Sequence, residues 1–314
     1  MDDNDRDGMM KWNDFIYLVD FLEASGDKSV SLLGGEPTLH PDFPEYIVYL
    51  LERGFYVNTF TSAIMNDKRL DKMKHILAGA NPEMISFVVN LNDPLKSNYS
   101  ETERVKAFLE HFGYVSSPGY NMYRPKFDMG FLFDYVARYG MRKHLRLGIT
   151  HPIAGKKNAY IRIPEINQMV ETLISYEEYF MRYRMNLGLD CGFPICVFTD
   201  EQLGKLYKMA GGQLSFGCGP AVDIGPDMMV WCCFPLSDYH KKSVYDFADM
   251  HELMEFYNGK QSGIRQEVAG IFEECDTCHF REDGLCNAGC LAHQLNNFAG
   301  EAEVRMEEVY HFDA

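Results

Sequence analysis

The first 190 residues contain no cysteine. That absence excludes a disulfide or a thiolate-held metal centre within this stretch. No run of about 20 uncharged apolar residues occurs, so nothing reads as a membrane-spanning helix and no membrane partner is expected. Basic blocks are wanting too: 30 Lys and Arg against 46 Asp and Glu leave a net charge of −16. This argues against a nucleic-acid partner, whose phosphates call for a positive footprint. Solubility alone accounts for such acidity. The opening "MDDNDRDGMMKW" lacks the basic-then-apolar order of a signal peptide, so a cytosolic, reducing location is expected. Internal repeats and low-complexity tracts are also missing.

What is present divides in two. With 314 residues, 46% of them hydrophobic, the chain has material for a large core and predicts two domains, or one with an appendage. Strand-like and helix-like segments alternate through residues 1–185. "MKWNDFIYLVDFLEASG" sets Trp12, Phe15, Ile16, Val19 and Leu22 on one helical face. "KSVSLLGG", "FYVNTFTS" and "EMISFVVNL" read as strands, with helices "FPEYIVYLLERG", "DKRLDKMKHILAG" and "ETERVKAFLEHFG" after them. "KFDMGFLF" and "HLRLGIT" read as two more strands around a short helix, "DYVARYG", and a long helix runs from about Ile166 to Tyr183. This pattern predicts an α/β fold with a parallel sheet, whose ligands bind at the carboxyl ends of the strands. From about residue 186 cysteine, glycine and proline become frequent. All nine cysteines fall between Cys191 and Cys290, and "CGPAVDIGPDMMVWCCFP" reads as a hairpin flanked by thiols. Residues 186–314 are therefore expected to form a small Cys-rich domain.

One strand end stands out. In "SVSLLGGEPTLHPDFPEY" an apolar run stops at Gly34 and Gly35, followed by Glu36 and Pro37. Two residues without a Cβ let the backbone approach a ligand, and Glu36 adds a negative acceptor. A tight βα turn capped by Glu36 explains the same residues equally well. The order "GGEPTLHPDF" resembles the turn after the second strand of radical S-adenosylmethionine (SAM) enzymes. The resemblance implies a partial (β/α)6 TIM-like barrel with its first strand missing, and a turn of Gly34, Gly35, Glu36 and Pro37 that holds the SAM amino group. It covers nearly the whole first domain. "TFTSA", Thr59 to Ala63, stands where many members have Thr-Asn-Gly, which makes Thr61 and Ser62 candidate SAM contacts. Asn90, closing the next strand, either faces the ribose or is a buried asparagine satisfied by backbone.

The cysteines carry a second resemblance. Cys275-x2-Cys278-x7-Cys286-x3-Cys290, after Cys218 and Cys232/Cys233, is similar to the SPASM or twitch extension of these enzymes, which binds auxiliary [4Fe–4S] clusters. By spacing alone zinc and iron–sulfur are equally suited; beside the "GGEPTLH" turn, iron–sulfur is favoured. No cysteine follows Cys290, so the last ligand of a second complete cluster is wanting. One auxiliary cluster is the expectation, with two left open. Cys191 and Cys196 in "CGFPIC" are either the source of a missing ligand or small buried residues.

Radical SAM enzymes also carry CxxxCxxC ahead of the glycine turn. Here Gly34 follows Met1 by only 33 residues and no cysteine intervenes. The expectation is a chain that begins just after the cluster loop, with a natural, catalytically silent relative as the alternative. The resemblance implies that a complete enzyme, supplied with electrons by flavodoxin or ferredoxin, forms a 5′-deoxyadenosyl radical and modifies a substrate, with a peptide or protein as the expected class. As written, the chain is expected to be inactive, because the catalytic [4Fe–4S] cluster requires that upstream segment. The competing class is a non-catalytic binding protein with a SAM-like pocket and a structural metal in its tail. Finally, "DNDRDGMMKWND", Asp3 to Asp14, fits the spacing of a calcium loop, though Lys11 and the lack of an entering helix oppose it, and a solvated acidic N-terminus is the plainer reading.

Overall fold

The alternation of apolar runs and amphipathic segments folds as a parallel sheet with helical crossovers. The computed structural model describes residues 8–299 apart from 155, 191, 220, 268 and 269. Helix α1 (Trp12–Ala24) leads into β1 (Ser29–Leu32), then α2 (Phe43–Glu52), β2 (Tyr56–Thr61), α3 (Asp67–Ile76) and β3 (Ile85–Asn90). The series continues through α4 (Tyr99–Phe112), β4 (Ser116–Met122), α5 (Gly130–Tyr139), β5 (His144–Ile149), α6 (Ile166–Ile174), α7 (Glu177–Tyr183) and β6 (Asn186–Leu189). The six strands lie in sequence order and every neighbouring pair is parallel. Parallel neighbours cannot be joined by a tight turn, so each crossover carries a helix. Among the described residues β1 and β6 do not pair, which is consistent with a partial TIM-like barrel, open rather than closed.

Three sequence expectations change. "GFLF" opens α5 and is not a strand; its Leu132 and Phe133 face the core at helical spacing. The strand in that place is β4, "SSPGYNM", hidden from sequence reading by Pro118 and Gly119 in its interior. The long helix expected over 166–183 is two, broken at Ser175 and Tyr176. The break lets the Tyr176 hydroxyl reach across to donate to Asp128 Oδ1 at 3.0 Å and accept from Met129 N at 3.0 Å. The strand–helix series also runs past the boundary expected near residue 186. Strand β6 and α8 (Asp200–Met209) follow it, and Leu187, Leu206 and Met209 share the core of the preceding strands. Of the calcium loop expected over Asp3–Asp14, residues 3–7 lie outside the described residues, and its last three residues, from Trp12, already belong to α1.

The remaining chain forms a smaller lobe. Strands β7 (Val222–Ile224), β8 (Met229–Cys232) and β9 (Lys242–Ser243) make an antiparallel sheet, with the expected hairpin between β7 and β8. Helices α9 (Met250–Glu267), α10 (His279–Glu282) and α11 (Leu291–Ala299) follow. One helix joins the two lobes. Phe15 and Val19 of α1 enter the large core, while Leu18 and Phe21 pack with Val230, Val244, Leu253 and Tyr257. The Ser25 hydroxyl, just beyond α1, accepts from Met250 N at 2.9 Å. Replacing Phe21 by Ala removes most of a buried ring from this second core and is expected to cost about 3 kcal/mol. Urea denaturation followed by circular dichroism checks this; an unchanged midpoint would show that α1 does not clamp the small lobe.

Candidate functional site

The turn after β1 is open where a ligand would need it open. Gly34 has φ +142°, and no atom lies within 4 Å of the point a Cβ would occupy at Gly34 or Gly35. Behind it, Glu36 is fully engaged. Its Oε1 accepts from Thr38 N (3.2 Å), Thr38 Oγ1 (2.7 Å) and Thr61 Oγ1 (2.6 Å); its Oε2 accepts from Ser62 N (2.7 Å) and Ser62 Oγ (2.5 Å). Five donors saturate an ionised carboxylate. Glu36 is thus both the cap of the 3-10 turn at Pro37–Leu39 and a brace between the exits of β1 and β2. Burial pushes its carboxyl up, but the hydroxyls of Ser62, Thr61 and Thr38 and the Ser62 N–H outweigh it and hold it below the usual 4.5. The free groups of this turn are those of the glycine backbone.

The next strand ends complete the site. Thr61 is buried and spent on Glu36 and on Ala63 N, so it holds the turn. Ser62 and Asn90 line one small hollow with Leu91 and Asn92. Asn90 Oδ1 is buried and has no hydrogen-bond partner. The backbone-satisfied asparagine of the sequence reading is therefore not what the fold builds. Of the residues predicted for the cofactor, Gly34, Gly35, Glu36, Pro37, Thr61, Ser62 and Asn90 all lie at or just past the carboxyl ends of β1, β2 and β3.

Sequence reading missed the polar row that continues from Asn90 across the sheet. Asn90 pairs with Gly119, Gly119 with Arg146, and Arg146 with Gly188, so every second strand offers a glycine beside a polar side chain. The fit is close: a Cβ at Gly119 would stand 2.7 Å from Asn90 Oδ1, and one at Gly148 would stand 2.8 Å from Asn121 Oδ1 and 3.0 Å from Asp190 Oδ2. Arg146 forms an ion pair with Asp190 and lies 4.9 Å from the ring centre of Phe60 on β2. Burial raises the Asp190 carboxyl, against the pull of Arg146. The only sequence signal was an arginine inside the apolar run "HLRLGIT". At the far end of β5, the rings of His151 and His293 stand 5.6 Å apart and Tyr160 lies 5.5 Å from His293. Burial, then His151, pushes His293 down to about 3, so it is neutral.

The thiols of the small lobe lie mostly below the surface; burial holds Cys275 and Cys290 toward the neutral form, and Cys232 together with burial does the same for Cys233. Cys218, Cys232, Cys233, Cys275, Cys278, Cys286 and Cys290 are buried or half-buried, whereas Cys196 is exposed, which removes its reading as a small buried residue. Cys191 lies outside the described residues. Gln261 Nε2 donates to Cys232 Sγ at 2.8 Å, and Ala288 N to Cys286 Sγ at 3.3 Å. Cys233 and Cys232 share a proton, and Cys232 is the member driven toward thiolate by the Cys233 thiol and by Gln261. Burial pushes Cys290 up to about 12, opposed by the N–H groups of Ala292 and His293 and by Arg265. Arg265 Nη2 is buried without a partner, and Arg281 Nη1 donates to Cys275 O at 3.2 Å. Among the described residues, no group of three or more His, Cys, Asp or Glu side chains is placed to hold a metal ion.

No protein-family model and no curated protein sequence matches the chain. Solved structures do. SuiB from Streptococcus suis superposes with a TM-score of 0.61 at 17% identity, over 93% of this chain and 68% of that one. SuiB bound to the precursor peptide SuiA gives 0.61 and 17%, over 96% and 68%. SuiB bound to S-adenosylmethionine gives 0.60 and 17%, over 94% and 70%. At this identity the likeness establishes the fold, across both lobes.

The Glu36 brace makes a test. Its folded carboxyl lies below 4.5, so its stabilisation is complete above that value and is lost as pH falls through the lowered one. Glu36→Gln puts an amide donor against the hydroxyl and N–H donors and is expected to cost about 2 kcal/mol near neutrality. Urea midpoints of variant and parent should differ most at about pH 7 and less at about pH 3. An equal gap at both would show that the charge is not what holds the turns.

Proposed function

We propose that this chain is a radical SAM-type scaffold that binds SAM at the exits of β1, β2 and β3 and holds a peptide or protein segment over the concave face of the sheet. One observation carries the reading: a glycine turn held open by a saturated carboxylate, with an unpartnered asparagine oxygen two strands away. The carbonyls of Gly34 and Gly35 accept from the ligand's ammonium, Pro37 stiffens the turn, and Glu36 and Thr61 position it. Ser62 and Asn90 offer polar groups to the ribose. The row of Asn90, Asn121, Arg146 and Asp190 suits main-chain amides, which need donors and acceptors together. Folds similar to this one hold SAM in one case and a precursor peptide in another, which supports both halves of the reading.

Four of the cysteines Cys218, Cys232, Cys233, Cys275, Cys278, Cys286 and Cys290 serve as ligands for an auxiliary [4Fe–4S] group. When bound, such a group supplies one-electron chemistry or an anchor for substrate, with flavodoxin or ferredoxin as reductant. Ahead of Cys191 the sequence has no thiolate to hold a second iron centre against the SAM turn. This favours binding without cleavage for the polypeptide by itself.

Gly35→Leu separates ligand from fold, because nothing lies within 4 Å of a Cβ there. Calorimetric titration with SAM is expected to show binding by the parent chain and roughly tenfold or greater weakening in the variant, with an unchanged melting temperature. The reading fails if the parent does not bind SAM, or if Gly35→Leu binds it equally well.

A further inference from the structure

The exit loop of β5 and the turn after β8 bring lysines of both lobes together. Residues 150–160 and 229–245 contain Lys156, Lys157, Lys241 and Lys242 against a single acid, Asp238, in a chain whose net charge is −16. The first loop is built to hold its tip still. Ile161 N donates to Thr150 O at 3.3 Å and closes its neck. Asn158 bridges its interior, accepting from Ile153 N at 2.8 Å and donating to His151 O at 2.9 Å. Ala154 shares a buried cluster with Leu236 and Leu291, and its N–H donates to Pro235 O at 2.9 Å, so the loop is fastened to the small lobe. Lys156, two residues on, reaches Asp238 Oδ2 at 2.8 Å.

The second segment is held in an unusual shape. Cys233 and His240 have φ +49° and +53°, a region that residues with a Cβ rarely adopt. Between them Phe234 is left 62% exposed. Tyr257 of α9 fixes the far end by donating to His240 O at 3.0 Å. Lys241 and Lys242 follow at once, both exposed, with Lys241 Nζ 5.1 Å from the ring centre of Trp231. Asp238 offsets one of the four lysines, so the two segments that carry the exposed Phe234 ring keep a positive excess.

We propose that this surface docks an acidic segment of the peptide or protein whose adjoining residues lie over the concave face. This rests on the peptide reading above and deepens it, by naming the charge that is recognised outside the SAM site. The first loop leaves the carboxyl end of β5, the end at which the concave face opens, so a segment held there is continuous with one lying in the site. The net charge of the chain repels an acidic partner, which confines attraction to this surface and fixes where such a partner lands. Phe234 supplies the apolar contact at the centre of a charged rim that stable docking requires.

Fluorescence anisotropy with a labelled short peptide of alternating Glu and Leu, set against its Lys and Leu counterpart, tests this on the full chain. The parent is expected to bind the acidic peptide and not the basic one. Raising ionic strength from about 0.1 M to about 1 M, which shortens the Debye length from about 10 Å to about 3 Å, should weaken binding severalfold. Lys241→Glu with Lys242→Glu, and separately Lys157→Glu on the other lobe, should each weaken it about tenfold or more while SAM affinity and melting temperature stay unchanged. The inference is overturned if a parent that binds SAM ignores the acidic peptide, or if both charge reversals bind it as the parent does. Equal or tighter binding of single-stranded DNA of the same charge overturns the assignment to a peptide. Acidic-peptide binding by a parent that ignores SAM overturns the SAM reading and leaves the docking surface standing.

Discussion

The carboxylate of Glu36 is the constraint on which the site depends. A turn with two successive glycines has the largest backbone entropy to lose on folding and no side chains with which to hold itself. Glu36 supplies the missing restraint from the adjacent position, drawing donors from its own 3-10 turn and from the exit of β2. Because every acceptor site is taken, the charge is stabilised in place and is not available to bind anything else. The consequence is a division of labour within four residues. The acid fixes the geometry, and the glycines present bare backbone outward.

The concave face extends the same economy of side chains. A closed barrel of this class is packed with branched apolar residues. Here the interior row alternates Asn90, Gly119, Arg146 and Gly188, and the neighbouring row sets Asn121 beside Gly148. Glycine on every second strand gives each polar side chain lateral room that a Cβ would close. The cost of leaving a polar face unfilled is met elsewhere, by the aromatic and aliphatic core on the helical side that includes Phe87, Phe108, Phe133 and Phe180. A polar, half-open interior is useless as a hydrophobic core and well suited to a ligand that brings its own amides.

The parallel sheet was legible because four of its strands, β1, β2, β3 and β5, are short apolar runs between amphipathic helices. Two strands escaped. β4 contains Pro118 and Gly119, residues that local rules assign to turns, and its place is set by β3 and β5 on either side, which is tertiary information; β6 is four residues long with Gly188 inside it, and only its pairing with β5 marks it as a strand. The same glycine explains the other omission. Gly119 and Gly188 look like punctuation in sequence, and only the register shows that they make space for Asn90 and Arg146. The glycine turn was legible as a site, yet the role offered to Glu36 there, a free acceptor, belonged instead to bracing, since its five donors come from residues up to 26 positions away.

The two lobes are held chiefly by one helix. Helix α1 contributes apolar residues to both cores, a contact that water exclusion stabilises. The Ser25 hydroxyl just beyond it adds a directional tie by accepting from Met250 N. Ile271 and Phe272, ahead of Cys275, bring apolar side chains of the smaller lobe to the large core as well. Because one helix fills part of two cores at once, loosening either core withdraws support from the other, and the lobe that stands beside the concave face is fixed by the same packing that stabilises the sheet.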